Sequence, residues 1–280
     1  MAEGQPRPAW SQHFAPEFIR ELTAEGPFAR ITPEWAWGES RGKGVRVAVV
    51  DSGIEADHPA VGRAVKGGVI IEYDSRAKDY HRVRPDEKPI DVSGHGTACA
   101  GIIHSIAPEA ELYSVRVLGR SMSGRAIQFA GGLDWAIENG MQVVNLSLST
   151  SMEDFFGLFH ELADQAYFKG MSVISAVNNL PEPSYPSLYS SVIGVAAHDG
   201  HDPFTYYYNA TPPVEFGAPG IDVKVAWTQK QYLVATGNSF AAPHIAGITA
   251  LIRANHPELT PFQVKTVLMA CAANTRRRAK

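Results

Sequence analysis

The chain has 280 residues, 45% apolar and 19% charged, enough for one large domain with a deep core and too apolar for a disordered chain. Its 25 basic and 29 acidic residues leave a net charge of -4 without long like-charge runs, which excludes the electrostatic footprint of a nucleic-acid binder. Cys99 and Cys271 are too few for a disulfide framework, and no apolar run nears the ~20 residues that cross a bilayer.

Met1 to Pro8 is polar and lacks the apolar stretch of a secretory signal, so the expected setting is the cytoplasm. Residues 1–42 read as a mixed leader. Two amphipathic patches in it, Pro16-Glu17-Phe18-Ile19-Arg20-Glu21-Leu22 and one around Trp35 and Trp37, are expected to be surface helices. The expected division is an N-terminal extension over 1–30, one domain over 31–274 and a solvated basic tail over 275–280.

After the turn Gly42-Lys43-Gly44, the run Val45-Arg46-Val47-Ala48-Val49-Val50 reads as a buried strand ending at Asp51-Ser52-Gly53. A carboxylate at the edge of a core is costly unless partnered. Asp51 therefore calls for a donor nearby, or else caps a turn. Residues 69–73 form a second strand, and the charged stretch 74–90 a surface loop. Then Asp91-Val92-Ser93-Gly94-His95-Gly96-Thr97-Ala98-Cys99 leaves His95 uncrowded between glycines at the start of a helix. An imidazole there can exchange protons near neutral pH or serve as a structural hydrogen-bonding group.

Strand and helix then alternate. Strands are expected at 112–118, 143–148, 172–177 and 191–196, with helices at 124–138 and 153–169. Short apolar runs at 214–216 and 232–235, a helix beginning near Ser239 and a last helix opened by Thr260-Pro261 complete the chain. This alternation implies an α/β fold with a mostly parallel central sheet and helices on both faces. The functional crevice of such a sheet lies beyond the carboxyl ends of its strands, where Asp51, Asn179 and the turn before Ser239 all fall.

The stretch Gly237-Asn238-Ser239-Phe240-Ala241-Ala242-Pro243-His244 reads as a tight turn opening a buried helix, with Pro243 where an early turn can spare an N–H. Ser239 at that helix mouth faces free N–H groups and the positive end of the peptide dipoles, a seat for a nucleophile as well as for a cap. A serine hydroxyl needs a base to take its proton. His95 can be that base, Asp51 can orient it, and Asn179 with the Ser239 N–H can hold an oxyanion.

On these residues the chain resembles the subtilisin family of serine peptidases, the subtilases, in which this chain order and an asparagine oxyanion donor are already known. The first block of the family is matched by Val47-Ala48-Val49-Val50-Asp51-Ser52-Gly53-Ile54 with His58-Pro59, the second by Gly94-His95-Gly96-Thr97 with Ala100-Gly101, and the third by 237–244. The likeness runs from about Ile31 to Ala273. It implies a three-layer α/β fold and a serine endopeptidase with the triad Asp51, His95 and Ser239, working through an acyl-enzyme on a protein or peptide substrate. Neither a cofactor nor a catalytic metal is implied.

The departures carry their own expectations. Asn238 and Phe240 stand where the family has threonine and methionine. Ala176-Val177-Asn178-Asn179 replaces Ala-Ala-Gly-Asn, which leaves Asn178 as the alternative to Asn179 for the oxyanion. Cys99 after His95 resembles the thermitase and proteinase K branch, and implies a thiol beneath the imidazole. Where many relatives carry a calcium loop, His104-Ser105-Ile106-Ala107-Pro108 closes the gap, so that site is expected to be missing. His198, His201 and His244 lack a second ligand at metal spacing.

The resemblance implies a substrate that adds as an extended strand along 120–124, including Ser123 and Gly124, and along Ser147-Leu148-Ser149. Ser149 in place of a common glycine is expected to narrow the primary pocket against aromatic side chains, with 180–185 as the opposite wall. The expected role is a dedicated cytoplasmic protease that processes a protein or peptide precursor, with a regulatory partner protein. A catalytically silent binding module, and a ligase or macrocyclase using the same triad, are the alternatives.

Overall fold

The computed structural model describes residues 7–277. The chain opens with a short strand β1 (Leu22–Ala24) and a helical turn α1 (Pro33–Ala36), then enters the main sheet at β2 (Arg46–Asp51). There follow β3 (Val65–Tyr73), β4 (His81–Pro85), α2 (His95–Ile106), β5 (Glu111–Arg116), α3 (Ala126–Glu138) and β6 (Val143–Leu146). Next come α4 (Phe156–Phe168), β7 (Ser172–Ala176), β8 (Ile193–His198), β9 (Tyr207–Tyr208) and β10 (Phe216–Pro219). A hairpin of β11 (Val223–Trp227) and β12 (Gln231–Ala235) precedes α5 (Asn238–Asn255), α6 (Pro261–Cys271) and β13 (Thr275–Arg277).

Nine strands form the main sheet in the order β4-β3-β5-β2-β6-β7-β8-β10-β9. From β3 to β10 every pairing is parallel, and β4 and β9 close the edges antiparallel. The centre of the sheet is covered on both sides. Val47 and Val49 of β2 pack with Ile103 of α2 and Ile245 of α5, whereas Ala48 and Val50 pack with Leu133 of α3 and Phe159 of α4. Because side chains alternate across the sheet and neither face meets water, β2 reads as a continuous apolar run instead of an alternating one. This is the three-layer α/β architecture that the alternation of elements implies.

Three stretches differ from the sequence reading. The patch 16–22 is not a helix: a 3-10 turn, Ser11–Phe14, is followed by turns and then β1, which pairs in parallel with β13. Phe14, 2% exposed, is the residue that holds this part down, and its ring fills the space that a side chain at Gly217 would need. The same pairing takes Thr275, Arg276 and Arg277 out of a free tail and lays them along Leu22, Thr23 and Ala24. The rest of the expected tail, 278–280, lies outside the described residues, as does 1–6. Within the expected loop 74–90, β4 pairs antiparallel with β3. Its charges are those of an exposed edge strand: Arg82 pairs with Asp74 and Arg84 with Glu72, both at 3.0 Å.

Candidate active site

Asp51 is the last residue of β2 and its side chain is fully buried. The donor that such a carboxylate requires is His95, the first residue of α2, whose Nδ1 lies 2.9 Å from both carboxylate oxygens. On the other side of the ring, Nε2 is 2.9 Å from Oγ of Ser239, the second residue of α5. Three side chains from distant parts of the chain thus form one continuous hydrogen-bonded line at the carboxyl rim of the sheet. Burial pulls the His95 imidazole toward its neutral form, but the charge of Asp51, with Cys99 and the hydrogen bond to Asp51 beside it, outweighs burial and holds the pKa well above the ordinary 6.5. Burial raises the pKa of the Cys99 thiol in turn.

The loop before α2 is shaped by a residue to which sequence reasoning gave no role. Asp91 Oδ1 accepts hydrogen bonds from the Ser52 hydroxyl and the N–H groups of Ser93 and Gly94, and Oδ2 from the N–H and hydroxyl of Thr97. One carboxylate therefore ties the end of β2 to the start of α2 and sets Asp51 against His95. An acid a few residues before a helix is a capping signal, and that pattern was available in the sequence. Gly96 completes the fit, since a Cβ there would stand 2.0 Å from the Gly53 carbonyl oxygen.

Ser239 is held from beneath. In α5 its carbonyl would normally accept the N–H of residue 243, which is Pro243 and has none. Pro243 therefore does not sit where an N–H is spare, as the sequence suggested; it is far enough into the helix to free the Ser239 carbonyl. That carbonyl accepts the Ser147 hydroxyl at 2.8 Å and lies 3.6 Å from the Cys99 sulfur. Asn145 Nδ2 in turn donates to Ser147 Oγ. Ser147, expected along the substrate edge, is turned inward and supports Ser239.

Of the two asparagines after β7, Asn179 is the one whose side chain is joined to the Ser239 helix. Its Oδ1 accepts the Asn238 N–H at 2.9 Å, which leaves the Nδ2 amide as its donor group. Asn178 Oδ1 is engaged in a local turn with the Leu180 N–H. Asn238, in the position where the resembling family has threonine, is fully buried. Its Oδ1 accepts the Ala197 N–H, and its Nδ2 faces the carbonyls of Val177, Asn178 and Ala9. Asn238 thus fastens the asparagine loop to α5, to β8 and to the N-terminal segment.

Ser123, Gly124 and Ser149 line a cavity of 830 Å³ walled by Tyr73, Tyr80, Met152 and Phe155. Leu148 packs on the α3–α4 side of the core instead. The expected opposite wall, 180–185, does not line this cavity. Tyr185 exchanges backbone hydrogen bonds with Thr150, and Leu180 and Pro181 border a separate cavity of 530 Å³ beside Asn179. The space beside Ser149 that these residues do line is wide and aromatic-walled.

The remaining histidines are structural or exposed. His244 Nδ1 donates to the Phe240 carbonyl, and burial lowers its pKa to about 4. His198 is also lowered by burial, with Nε2 3.0 Å from the Thr205 carbonyl, while His201 is exposed. Among the described residues, the group with donor atoms close enough to share a metal is Asp51, His95 and Cys99, within 4.8 Å of one another, and its members are already hydrogen-bonded to each other. After α2 the chain reaches β5 through 107–110, where Glu109 pairs with Arg41 at 2.6 Å.

Residues 42–279 match the subtilase family. A thermostable alkaline protease of Halalkalibacterium halodurans is 36% identical over 236 residues, covering 80% of this chain and 61% of that protein. Thermitase of Thermoactinomyces vulgaris is 32% identical over 235 residues, 80% of each chain. A crystal structure of a cold adapted subtilisin-like serine proteinase superposes with a TM-score of 0.67 at 26% identity, covering 83% of both chains. The chain therefore spans less than two thirds of the alkaline protease that it matches.

Proposed function

The chain belongs to the subtilase family, and on that premise we propose that it is a serine endopeptidase that hydrolyses peptide bonds through an acyl-enzyme. The observation that carries the reading is the position of His95, 2.9 Å from Asp51 on one ring nitrogen and 2.9 Å from Ser239 on the other. Ser239 Oγ attacks the substrate carbonyl as His95 Nε2 takes its proton, and Asp51 stabilises the imidazolium so formed. Asn179 Nδ2 and the Ser239 N–H at the mouth of α5 stabilise the oxyanion. His95 then protonates the departing amine, water takes its place, and the same steps release the acid. The acyl side of the substrate lies along Ser123, Gly124 and Ser149.

Within that activity the proposal extends to limited processing of a protein or peptide precursor. It is supported by two separate cavities, one lined by Ser123, Gly124 and Ser149 and one beside Asn179, which suit a substrate of defined sequence. The buried thiols of Cys99 and Cys271 form no disulfide, which suits a reducing compartment such as the cytoplasm, and a regulatory partner protein belongs to the same proposal. No helix among the described residues is long and apolar enough to cross a membrane.

A fluorophosphonate probe tests the reading directly. It should label the wild type and not Ser239→Ala, and a peptide substrate should gain one water per cut, read by mass. Absence of labelling points to a silent binding module, and a product lacking that water to a ligase.

A further inference from the structure

The segment before the 3-10 turn Ser11–Phe14 is bound to the reaction centre itself. The Ala9 N–H donates to the Asn179 carbonyl at 2.8 Å, and the Ala9 carbonyl accepts from Asn238 Nδ2 at 3.2 Å. Asn179 is the oxyanion residue of the reading above, and Asn238 immediately precedes the nucleophile. The segment is fixed at both ends: Arg7 pairs with Asp199 at 2.8 Å, and Phe14 is buried.

What this segment builds is one side of the 530 Å³ cavity. Arg7, Ala9, Trp10 and Gln12 line it from the segment, and Asn179, Leu180, Pro181 and Thr236 from the loops around Ser239. Sheet order gives the cavity its place. The 830 Å³ cavity lies at the exits of β5 and β6, whereas the smaller one lies at the exit of β7 and reaches toward Asp199 beyond β8. Asn179 lines the smaller one. If the acyl side of the substrate occupies the first, the departing side runs into the second.

We propose that residues 7–12 form the substrate wall for the leaving-group side of the scissile bond and select the residue whose amine departs; this rests on the acyl-enzyme reading. The lining defines the chemistry. Trp10, Leu180 and Pro181 offer apolar surface, and the Arg7 charge is matched by Asp199. The subsite suits an apolar side chain such as leucine better than an acidic one.

Deacylation by an amine isolates this side of the site. The bond from the acyl carbon to Ser239 Oγ breaks, the amine nitrogen forms the new amide bond, and its proton passes through His95 to Oγ. A peptide ester is used to form the acyl-enzyme, which is then partitioned between water and alaninamide, leucinamide or aspartic acid amide, the products being counted by chromatography. Wild type should favour leucinamide. Gln12→Trp, which fills the cavity from the segment side, should lower the leucinamide-to-water ratio by roughly tenfold, the scale of a lost apolar contact. The order of preference among esters varied on the acyl side should be kept.

The ratio is read only on acyl-enzyme already formed, so a poorly folded variant lowers both products together and leaves it interpretable. A leucinamide-to-water ratio unchanged in Gln12→Trp overturns the proposal while leaving the peptidase reading standing. A wild type that forms no acyl-enzyme from any ester overturns the peptidase reading, and this proposal with it.

Discussion

The sulfur of Cys99 lies 3.9 Å from Nδ1 of His95 and 3.8 Å from Oδ2 of Asp51. One turn of α2 separates the two residues, so the thiol lies under the imidazole on the core side of the triad. Burial keeps it protonated, which makes it a packing group and a poor nucleophile. In a Cys271→Ala background, mercuric ion should abolish activity at one equivalent by displacing His95, and iodoacetamide, too large for a fully buried sulfur, should not. Cys99→Ala should resist mercury. Full peptidase activity with mercury bound at Cys99 would show that the ring tolerates the intrusion.

Pro243 and Ser147 act as a pair on the Ser239 carbonyl. Because Pro243 withholds the helical N–H, the Ser147 hydroxyl is the strong donor to that carbonyl, with the Cys99 thiol a weak one at 3.6 Å. Ser147→Ala should cost about 1–3 kcal/mol in urea unfolding, the penalty of an unsatisfied buried acceptor, and should lower kcat. In a Pro243→Ala background, where an intrahelical N–H returns, the same change should cost less. Strictly additive losses in the double-mutant cycle would refute the coupling.

How much of this was legible in the sequence depended on how local each signal was. Asp51, His95 and Ser239 each stand at a strand or helix boundary that their neighbours announce: an apolar run before Asp51, glycines about His95, a small-residue turn before Ser239. The rule that sites lie at the carboxyl rim brought Asp51 and Ser239 together, while His95 and the choice against bland readings came from the resemblance of the three blocks to the subtilases. The inward turn of Ser147 was hidden because it follows from a proline 96 residues away, counting from 147 to 243. The β1–β13 pairing was hidden for the same reason, joining residues from the two ends of the chain. In β4, exposure on an edge replaced the apolar alternation by which a strand is recognised.

Asn179 and Asn178 differ in what they already bind. Both keep an Nδ2 donor, but Asn179 Oδ1 accepts the N–H of Asn238, next to Ser239, whereas Asn178 Oδ1 accepts the Leu180 N–H within its own loop, so it is the Asn179 amide that is tied to the start of α5. In subtilisin, loss of the matching donor slows kcat by roughly 10²- to 10³-fold, and Asn179→Ala is expected to fall in that range with little change in KM. Asn178→Ala should cost far less in kcat and appear mainly as lost stability of the loop. Equal kcat losses in the two variants would mean that the loop as a whole, and not one amide, binds the oxyanion.

Two buried histidines give the protein opposite responses to pH. Asp51 holds the His95 pKa well above 6.5, and the base must be neutral to act, so the acid limb of kcat/KM should lie on the alkaline side of 6.5. For stability, the raised value means that the contribution of His95 is fully present below the unfolded pKa and lost as pH rises through the folded one. His244 runs the other way. Burial lowers it from 6.5 to about 4, so its contribution is present above 6.5 and lost as pH falls toward 4. That loss amounts to about 3 kcal/mol at 1.36 kcal/mol per unit, and the lowered His198 adds in the same direction. His244→Asn, whose amide can still donate to the Phe240 carbonyl, should therefore unfold at urea concentrations that change less between pH 7 and pH 4.5 than those of the wild type. If the two proteins lose stability in parallel over that interval, His244 is not the group that takes up the proton.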